Sequence, residues 1–318
     1  METFPNHLQS LHHGESEPLV RKLGGSTTAQ IEQSVDMLKH DPRKGTTATV
    51  LSAFRHNDCP LTGICSDLAD RLANGDTENI ERVTAGIGAR IQTLLDTDNL
   101  LDGQPTPNLF LTLDEHLRRI HQGGQYSVEE QGSDRILETG NGRISLLGQG
   151  EIATTKLYDL LLSSRMKVFD IEGMEQFLHQ CGDIAQQRDI THGMLAYLLQ
   201  ECREQRNTRI LVPGYLPHTA RSLGYSDVTA VETSIVLRNL HGSQTVCSIE
   251  KEFPILDKMG GRCVPRLSYQ EAIERCSEGG SAPGVVHRDA IRLAQMEGIP
   301  IIVHNPTKPE LGATLIHW

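Results

Sequence analysis

Short apolar runs alternate with helical patterns along most of this chain. An apolar run around Val20 ends in a glycine pair, and residues 46–53 form a second, β-branched apolar run. Between them, Ile31, Val35 and Leu38 recur at the spacing of an amphipathic helix. Two strands joined by one helix imply a parallel pair with a right-handed crossover. We also expect Thr27 to cap this helix, because Gln30 completes a capping-box pattern.

The same alternation continues to the end of the chain and predicts an α/β protein with a mainly parallel sheet that is covered by helices on both faces. Further strands are predicted near residues 167–170, 209–212, 245–249, 299–303 and 315–316. Further helices are predicted within 58–122 (80–95 being clearest) and near 148–161, 191–205, 225–235, 268–276 and 287–297. The polar, glycine-rich residues 123–143 predict a loop or hairpin, which we expect to be mobile.

Composition excludes several classes of protein. The 318 residues carry a net charge of −11, which argues against a general nucleic-acid or anionic-membrane binder. No apolar stretch is long enough for a membrane span. Seven scattered cysteines without a Cys-x-x-Cys pair favour a reducing cytoplasm. The histidines have no convincing metal-ligand spacing, so no metal site is expected. Residues 1–17 are polar and predict a flexible tail without a signal-peptide core.

The glycine pair is the first candidate for chemistry. Lys22, Gly24, Gly25 and Ser26 stand between the first strand and the first helix. Glycines let backbone N–H groups approach an anion closely, a lysine adds positive charge, and a helix start adds its dipole. This arrangement can bind a phosphate, although its spacing is not that of a Walker A loop. A strand, turn and helix without any ligand is the alternative.

Several motifs occur together in the order of one known family. They are Lys-Leu-Gly-Gly-Ser-Thr at 22–27, Leu-Ser-Ala at 51–53, Gly-Glu at 150–151, Gly-Tyr-Ser-Asp at 224–227, Leu-Ser-Tyr-Gln-Glu-Ala at 267–272 and a closing segment at 286–315. The chain resembles the aspartokinases, which belong to the amino acid kinase superfamily. The resemblance implies a three-layer α/β/α sandwich over residues 18–318, with an acceptor-binding lobe at 18–207 and a nucleotide-binding lobe at 208–318.

The resemblance also implies a reaction, in which the γ-phosphoryl group of ATP, bound with Mg²⁺, is transferred to a carboxylate to give an acyl phosphate. Lys22 would stabilise the transferring group, and Asp227 would organise Lys22 and other donors. Ser52 and Glu151 would line the acceptor site, with Glu151 on the acceptor's amino group. Read without the family, Asp227 is a helix cap, Glu151 answers a helix dipole and Ser52 is a buried strand-end hydroxyl.

Two segments depart from the aspartokinase pattern. The family's arginine before the Gly-Gly-Ser-Asp glycines is replaced by Leu223, and its second glycine is Tyr225; Arg221, two residues earlier, is a candidate substitute. The family's lysine before Val-Leu-His is Gly284. In the altered nucleotide stretch, the residues that match best are Ser248, Glu250, Asp257 and Lys258.

Three hypotheses therefore stay open. The first is an ATP-dependent kinase that acts on aspartate or a related small amino acid, expected to be a cytoplasmic homo-oligomer without regulatory ACT domains and to serve a specialised biosynthetic pathway. The second is a non-catalytic relative that binds a nucleotide or metabolite. The third is a kinase of the same fold whose acceptor is a phosphate, phosphonate or carbamate.

Overall fold

The computed structural model describes most of the chain between residue 18 and the C-terminus. The described residues are 18–41, 46–56, 59–77, 86, 89, 107–132, 134–162, 166–204, 209–219, 225–242, 245–257, 261–277 and 286–318. The predicted tail at 1–17, most of the predicted helix at 80–95, and the candidate site residues Arg221 and Lys258 lie outside these residues.

Thirteen strands lie within the described residues. They are β1 (Leu19–Leu23), β2 (Thr47–Leu51), β3 (Arg55–His56), β4 (Cys59–Pro60), β5 (Tyr126–Gln131), β6 (Asp134–Thr139), β7 (Gly142–Ser145), β8 (Lys167–Val168), β9 (Arg209–Pro213), β10 (Val246–Glu250), β11 (Arg266–Ser268), β12 (Ile301–His304) and β13 (Ala313–His317). Eight of them form the central sheet, in the order β11-β13-β12-β10-β1-β2-β9-β8. Only the pairing of β12 with β13 is antiparallel in this sheet, so the predicted mainly parallel sheet is confirmed.

Ten α-helices accompany the strands in the described part of the chain. They are α1 (Gly25–Thr28), α2 (Ile31–Lys39), α3 (Leu61–Ala73), α4 (Leu111–His121), α5 (Gly148–Leu161), α6 (Ile171–Gln180), α7 (Ile184–Glu204), α8 (Tyr225–His241), α9 (Tyr269–Ser277) and α10 (Arg288–Glu297). None of the helices in these ranges is sufficiently long and apolar to cross a lipid bilayer.

Alternate residues of the central strands face opposite helical layers. In β9, Ile210 and Val212 belong to an apolar cluster with α6 to α10, whereas Leu211 between them belongs to a second cluster with α2 to α5. This alternation follows from the two-residue period of a strand. Because both faces are covered, consecutive residues of a central strand are buried, including all five of β2 and all five of β10, as expected for a parallel sheet. The predicted three-layer α/β/α architecture is confirmed.

Local predictions met different outcomes. The capping box at Ser268 and Glu271 is confirmed, because each side chain bonds the other residue's backbone N–H, at 3.2 and 2.7 Å. The Thr27 cap is wrong, because Thr27 lies inside the one-turn helix α1 and Gln30 precedes α2. The Ser34 hydroxyl donates to the Thr27 carbonyl at 2.7 Å and joins the two helices.

The glycine-rich residues 123–143 proved to contribute to a small antiparallel sheet. Strands β5, β6 and β7 pair in that order over residues 126–145, so the hairpin alternative is confirmed and the loop alternative is wrong; mobility stays a prediction. Helix α6 was not predicted from the apolar pattern. Its N-cap is Asp170, which accepts a hydrogen bond from the Gly173 amide at 2.9 Å, and an aspartate cap is a signal that the sequence does contain.

Substitution of Leu211 tests how much the stability of the protein depends on packing between the sheet and the layer of helices α2 to α5. The side chain is fully buried, so we expect Leu211→Ala to lower the free energy of unfolding by about 2–5 kcal/mol. Leu111→Ala, at a half-exposed leucine, should cost less than about 1 kcal/mol. Urea unfolding followed by circular dichroism measures both. Equal losses for the two variants would contradict this account of the core.

Candidate active site

Four neighbouring parallel strands end at one edge of the sheet. In the register of the sheet, Lys22 pairs with Ile249, Leu23 with Leu51, and Leu51 with Pro213. The residues that follow each strand therefore lie close together, since parallel strands present their carboxyl ends at the same edge. This edge is where open α/β sheets bind ligands. The glycine pair, Ser52 and the N-terminal ends of α5 and α8 meet there.

A buried charge cluster lies at this edge. Lys22 Nζ is 3.0 Å from Asp227 Oδ1, and Lys251 Nζ is 2.9 Å from Asp227 Oδ2. The His287 amide also donates to Asp227 Oδ2, at 3.0 Å. Lys22 comes from the end of β1, Asp227 from the first turn of α8, and Lys251 from the residue after β10. Two ammonium groups thus face one carboxylate, and the cluster carries a net positive charge.

Burial changes the proton affinities within this cluster. Burial lowers the pKa of Lys22 to about 8, although the Asp227 carboxylate opposes the change. Burial alone would raise the pKa of Asp227, but the ammonium groups of Lys22 and Lys251 hold it below its usual range. Asp227 therefore remains an anion. Any additional negative charge placed near Lys22 would stabilise its protonated form.

The glycine pair is required by close packing of backbone against backbone. A β-carbon at Gly24 would lie 2.8 Å from the Glu250 carbonyl oxygen, and one at Gly25 would lie 3.0 Å from the Ala53 carbonyl oxygen. Both distances are too short for an ordinary side chain. Gly24 is also adjacent to the cluster, because its β-carbon position is 3.8 Å from Lys22 Nζ. Ser26 is exposed at the start of α1.

The predicted acceptor residues form a second group beside the charge cluster. The Ser52 hydroxyl donates to the Ser226 hydroxyl at 3.1 Å, and the Tyr225 hydroxyl donates to Glu151 Oε2 at 3.0 Å. Burial raises the pKa of Glu151 to about 7, against hydrogen bonds from Tyr225 and the Ala53 backbone. Tyr225, which replaces a glycine of the aspartokinase pattern, therefore already bonds one of the two carboxylate oxygens of Glu151.

The predicted nucleotide residues are more scattered. Ser248 is buried in β10 and bonds His304 Nε2 at 2.8 Å. Glu250 is fully buried, with one oxygen 3.7 Å from Arg21 Nε. Asp257 accepts a hydrogen bond from the Gly261 amide at 3.1 Å in a separate turn. The structure thus brings Lys22, Gly24 and Asp227 together, whereas the side chains of Ser248 and Glu250 are buried on β10.

Comparisons with known proteins show which solved structures share the fold of this chain. No protein-family model and no curated sequence matches the chain. Among solved structures, aspartate kinase from Clostridium acetobutylicum superimposes with a TM-score of 0.59 and 19% identity, over 94% of this chain and 63% of that one. E. coli aspartokinase III in complex with aspartate and ADP gives 0.53 and 20%, over 95% and 64%.

This chain has the amino acid kinase fold. A third solved structure, E. coli aspartokinase III with lysine and aspartate, gives a TM-score of 0.52 at 19% identity, covering 95% of this chain and 65% of the other. The chain thus spans less than two thirds of the length of these aspartokinases. At such identities the likeness establishes the fold, while acceptor, nucleotide and partners remain matters for proposal.

Sequence reasoning missed one member of the charge cluster in this amino acid kinase fold. Lys251 directly follows an apolar parallel strand, and Lys22 stands one residue before the end of another. That shared position at a strand end was the available signal. The aspartokinase pattern gives no indication of Lys251, because the family's second lysine corresponds to Gly284, which lies outside the described residues.

Glu250 offers a test of the electrostatics within the fold. Burial raises the pKa of its carboxyl from 4.5 to about 7, with Arg21 and Lys22 opposing, and no described residue donates a hydrogen bond to either oxygen. The folded state therefore holds a proton that the unfolded state releases between pH 4.5 and 7, so the free energy of unfolding falls as pH rises through that window.

Replacing Glu250 with neutral glutamine should remove this pH dependence. We expect Glu250→Gln to be more stable than the wild type by about 3 kcal/mol at pH 8 and nearly equal to it at pH 4.5. Urea unfolding at both pH values measures the difference, with the exposed Glu274→Gln as control. A stability difference that is independent of pH would show that the buried carboxyl is not the titrating group.

Proposed function

We propose that the protein is an ATP-dependent phosphotransferase that forms an acyl phosphate on the carboxylate of aspartate or a related small amino acid, as a step of a biosynthetic pathway. The observation that carries this proposal is the Lys22–Asp227–Lys251 cluster beside the Gly24–Gly25 turn. A cytoplasmic location and a homo-oligomeric state are further predictions that accompany it.

The cluster suits phosphoryl transfer because that reaction depends mainly on positioning and on charge stabilisation. Asp227 holds one ammonium group on each of its oxygens, so both cations are fixed before a phosphate arrives. Such preorganised charge needs no rearrangement when negative charge develops. The lowered pKa of Lys22, about 8, would rise once a phosphate lies beside it, which keeps the lysine protonated during transfer.

The residues at this edge suit the phosphates of ATP in charge, because the cluster is net positive and lies beside Gly24. One solved relative was crystallised with ADP and aspartate, which supports a nucleotide and an amino acid as the two substrates. Mg²⁺, arriving with the nucleotide, supplies neutralisation of phosphate charge. Among the protein groups, Lys22 and Lys251 would bind phosphate oxygens, while Asp227 keeps both lysines in place.

The acceptor would lie beside Ser52, Ser226 and Glu151. Glu151 can bind an ammonium group when it is ionised, but Tyr225 already donates to one of its oxygens. The acceptor's amino group would therefore share this carboxylate with the tyrosine. This observation favours an aspartate analogue, or the alternative of a non-carboxylate acceptor, more than the standard aspartokinase pattern would.

A non-catalytic relative is the second candidate, favoured by the burial of Ser248 and Glu250 within the sheet. Because those two side chains are buried, they would not be available for polar contacts with the base and sugar of a nucleotide. Binding of ATP without turnover would support this candidate over the kinase.

Lys22 and Lys251 provide the direct test of catalysis. With MgATP, hydroxylamine and a panel of aspartate, glutamate, their analogues and small acids, we expect hydroxamate from the wild type. Lys22→Ala and Lys251→Ala should each lower kcat by about 10²–10³-fold, as removal of one preorganised charge does in other enzymes. Lys39→Ala, at an exposed position on α2, is the matched control and should keep full activity.

The outcomes of this assay separate the hypotheses. ADP release without hydroxamate would indicate a non-carboxylate acceptor or hydrolysis of ATP. Hydroxamate that persists undiminished in Lys22→Ala would contradict the proposed role of the cluster. Binding of ATP without formation of either ADP or hydroxamate would favour the non-catalytic relative over the kinase.

Tyr225 tests the assignment of Glu151 to the acceptor. The pKa of Glu151 is about 7 and the Tyr225 hydroxyl bond lowers it, so an ammonium-bearing acceptor should bind better as pH rises through about 7. Tyr225→Phe removes the donor, and we expect the fall in KM to move to higher pH by roughly one unit. The control Tyr215→Phe removes a hydroxyl from Glu175 instead. Identical KM profiles for wild type and Tyr225→Phe would separate Glu151 from acceptor binding.

A further inference from the structure

Three potential metal ligands converge at a place that the proposed reaction does not use. His192 lies on α7, His218 lies in the turn after β9, and Glu232 lies on α8. Their ligand atoms are all within 4.8 Å of one another. Sequence spacing does not reveal this group, because the three side chains come from three separate segments.

One carboxylate oxygen faces both imidazole rings. Glu232 Oε2 is 2.6 Å from His218 Nε2 and 3.6 Å from His192 Nε2. The second distance is too long for a hydrogen bond, and no described residue bonds that nitrogen, although it is shielded from solvent. A shielded nitrogen without a partner costs free energy. A cation between the three atoms would engage all of them at once.

The surroundings hold the carboxylate in place. Arg188 Nε is 3.3 Å from Glu232 Oε1, the oxygen that turns away from the histidines. Metal-binding carboxylates commonly have such an outer partner on their second oxygen. Its positive charge also limits the affinity for a cation, so we expect a dissociation constant on the order of micromolar rather than the far tighter binding of zinc fingers.

We propose that His192, His218 and Glu232 bind one divalent first-row transition-metal ion, with Zn²⁺ as the representative. Two imidazoles and one carboxylate are typical zinc ligands and disfavour Mg²⁺ and Ca²⁺, which prefer oxygen. Tetrahedral zinc holds its ligand atoms about 3.3 Å apart, so the 2.6 Å contact must lengthen by less than an ångström, and any separation close to 4.8 Å must shorten by more than one. His192 is partly exposed and gives the ion a path of entry.

Such an ion would act as a cross-link. It joins α7, the turn at residues 217–219 and α8, which are distant in sequence. The turn directly precedes residues 220–224, and α8 carries Asp227 in its first turn. The ion would therefore stabilise the connection between β9 and the helix that bears Asp227, without contacting either substrate.

Direct metal binding tests this proposal without any measurement of activity. Full-length protein, freed of metal with a chelator and then dialysed, is titrated with Zn²⁺ and Co²⁺. We expect one equivalent to bind by equilibrium dialysis, with the visible absorption bands of a low-symmetry four-coordinate Co²⁺ complex. His192→Ala should weaken binding at least tenfold. Because His192 is partly exposed, this variant should fold, and circular dichroism is used to check its folding.

Two control variants separate this site from other histidines. His12→Asn/His13→Asn removes the adjacent pair near the N-terminus, and His179→Asn removes a histidine that lies 3.4 Å from Glu175. Both should keep the bound equivalent. Zn²⁺ should also raise the melting temperature of the wild type and not that of His192→Ala. Absence of a bound equivalent, or binding lost in His12→Asn/His13→Asn but kept in His192→Ala, would overturn the proposal.

Discussion

The ion pair between Lys22 and Asp227 is the constraint on which the rest of the site depends. Both side chains are buried, and the Lys22 ammonium is stabilised there by the Asp227 carboxylate, since an unpaired buried charge costs several kcal/mol. Their 3.0 Å contact requires β1 and α8 to meet at the same strand ends. The parallel register of β1 with β2 and β10 places Gly24 and Lys251 there as well. Fold and charge cluster are thus consequences of one packing arrangement.

A second buried polar network supports the other side of the site. Asp134 accepts from the Ser145 hydroxyl at 2.5 Å, and that hydroxyl accepts from the Gly148 amide at 2.7 Å, where α5 begins. Tyr215 donates to Glu175 at 3.1 Å within the same region. Burial raises the pKa of Asp134 to about 6, so the network tolerates a proton at mildly acidic pH. It fixes the start of α5 and, with it, the position of Glu151.

The strand–helix alternation was sufficient to predict the parallel sheet and its two helical layers, because the apolar period is a local property of the sequence and a strand–helix–strand unit implies a parallel pair. It could not place the boundaries of α1 and α2, since Thr27 and Gln30 satisfy a capping pattern that tertiary contacts override. The pairing of Lys22 with Asp227 followed from a family resemblance. Lys251 did not, because only the three-dimensional register of β10 beside β1 brings its ammonium group to Asp227.

Tyr225 and Lys251 show that the site departs from the aspartokinase pattern on both of its sides. The family's usual lysine position is Gly284 in this chain, whereas Lys251, after β10, provides a second cation next to Asp227. In the proposed function this lysine would supply the positive charge for phosphate from a different strand. Tyr225 changes the acceptor side, since its ring lies 5.9 Å from that of Tyr215 and its hydroxyl bonds Glu151. Under the proposed function, charge for a phosphate would thus be preserved while space and hydrogen bonding for the acceptor would be altered, which is the combination expected when a fold keeps its reaction and changes its substrate.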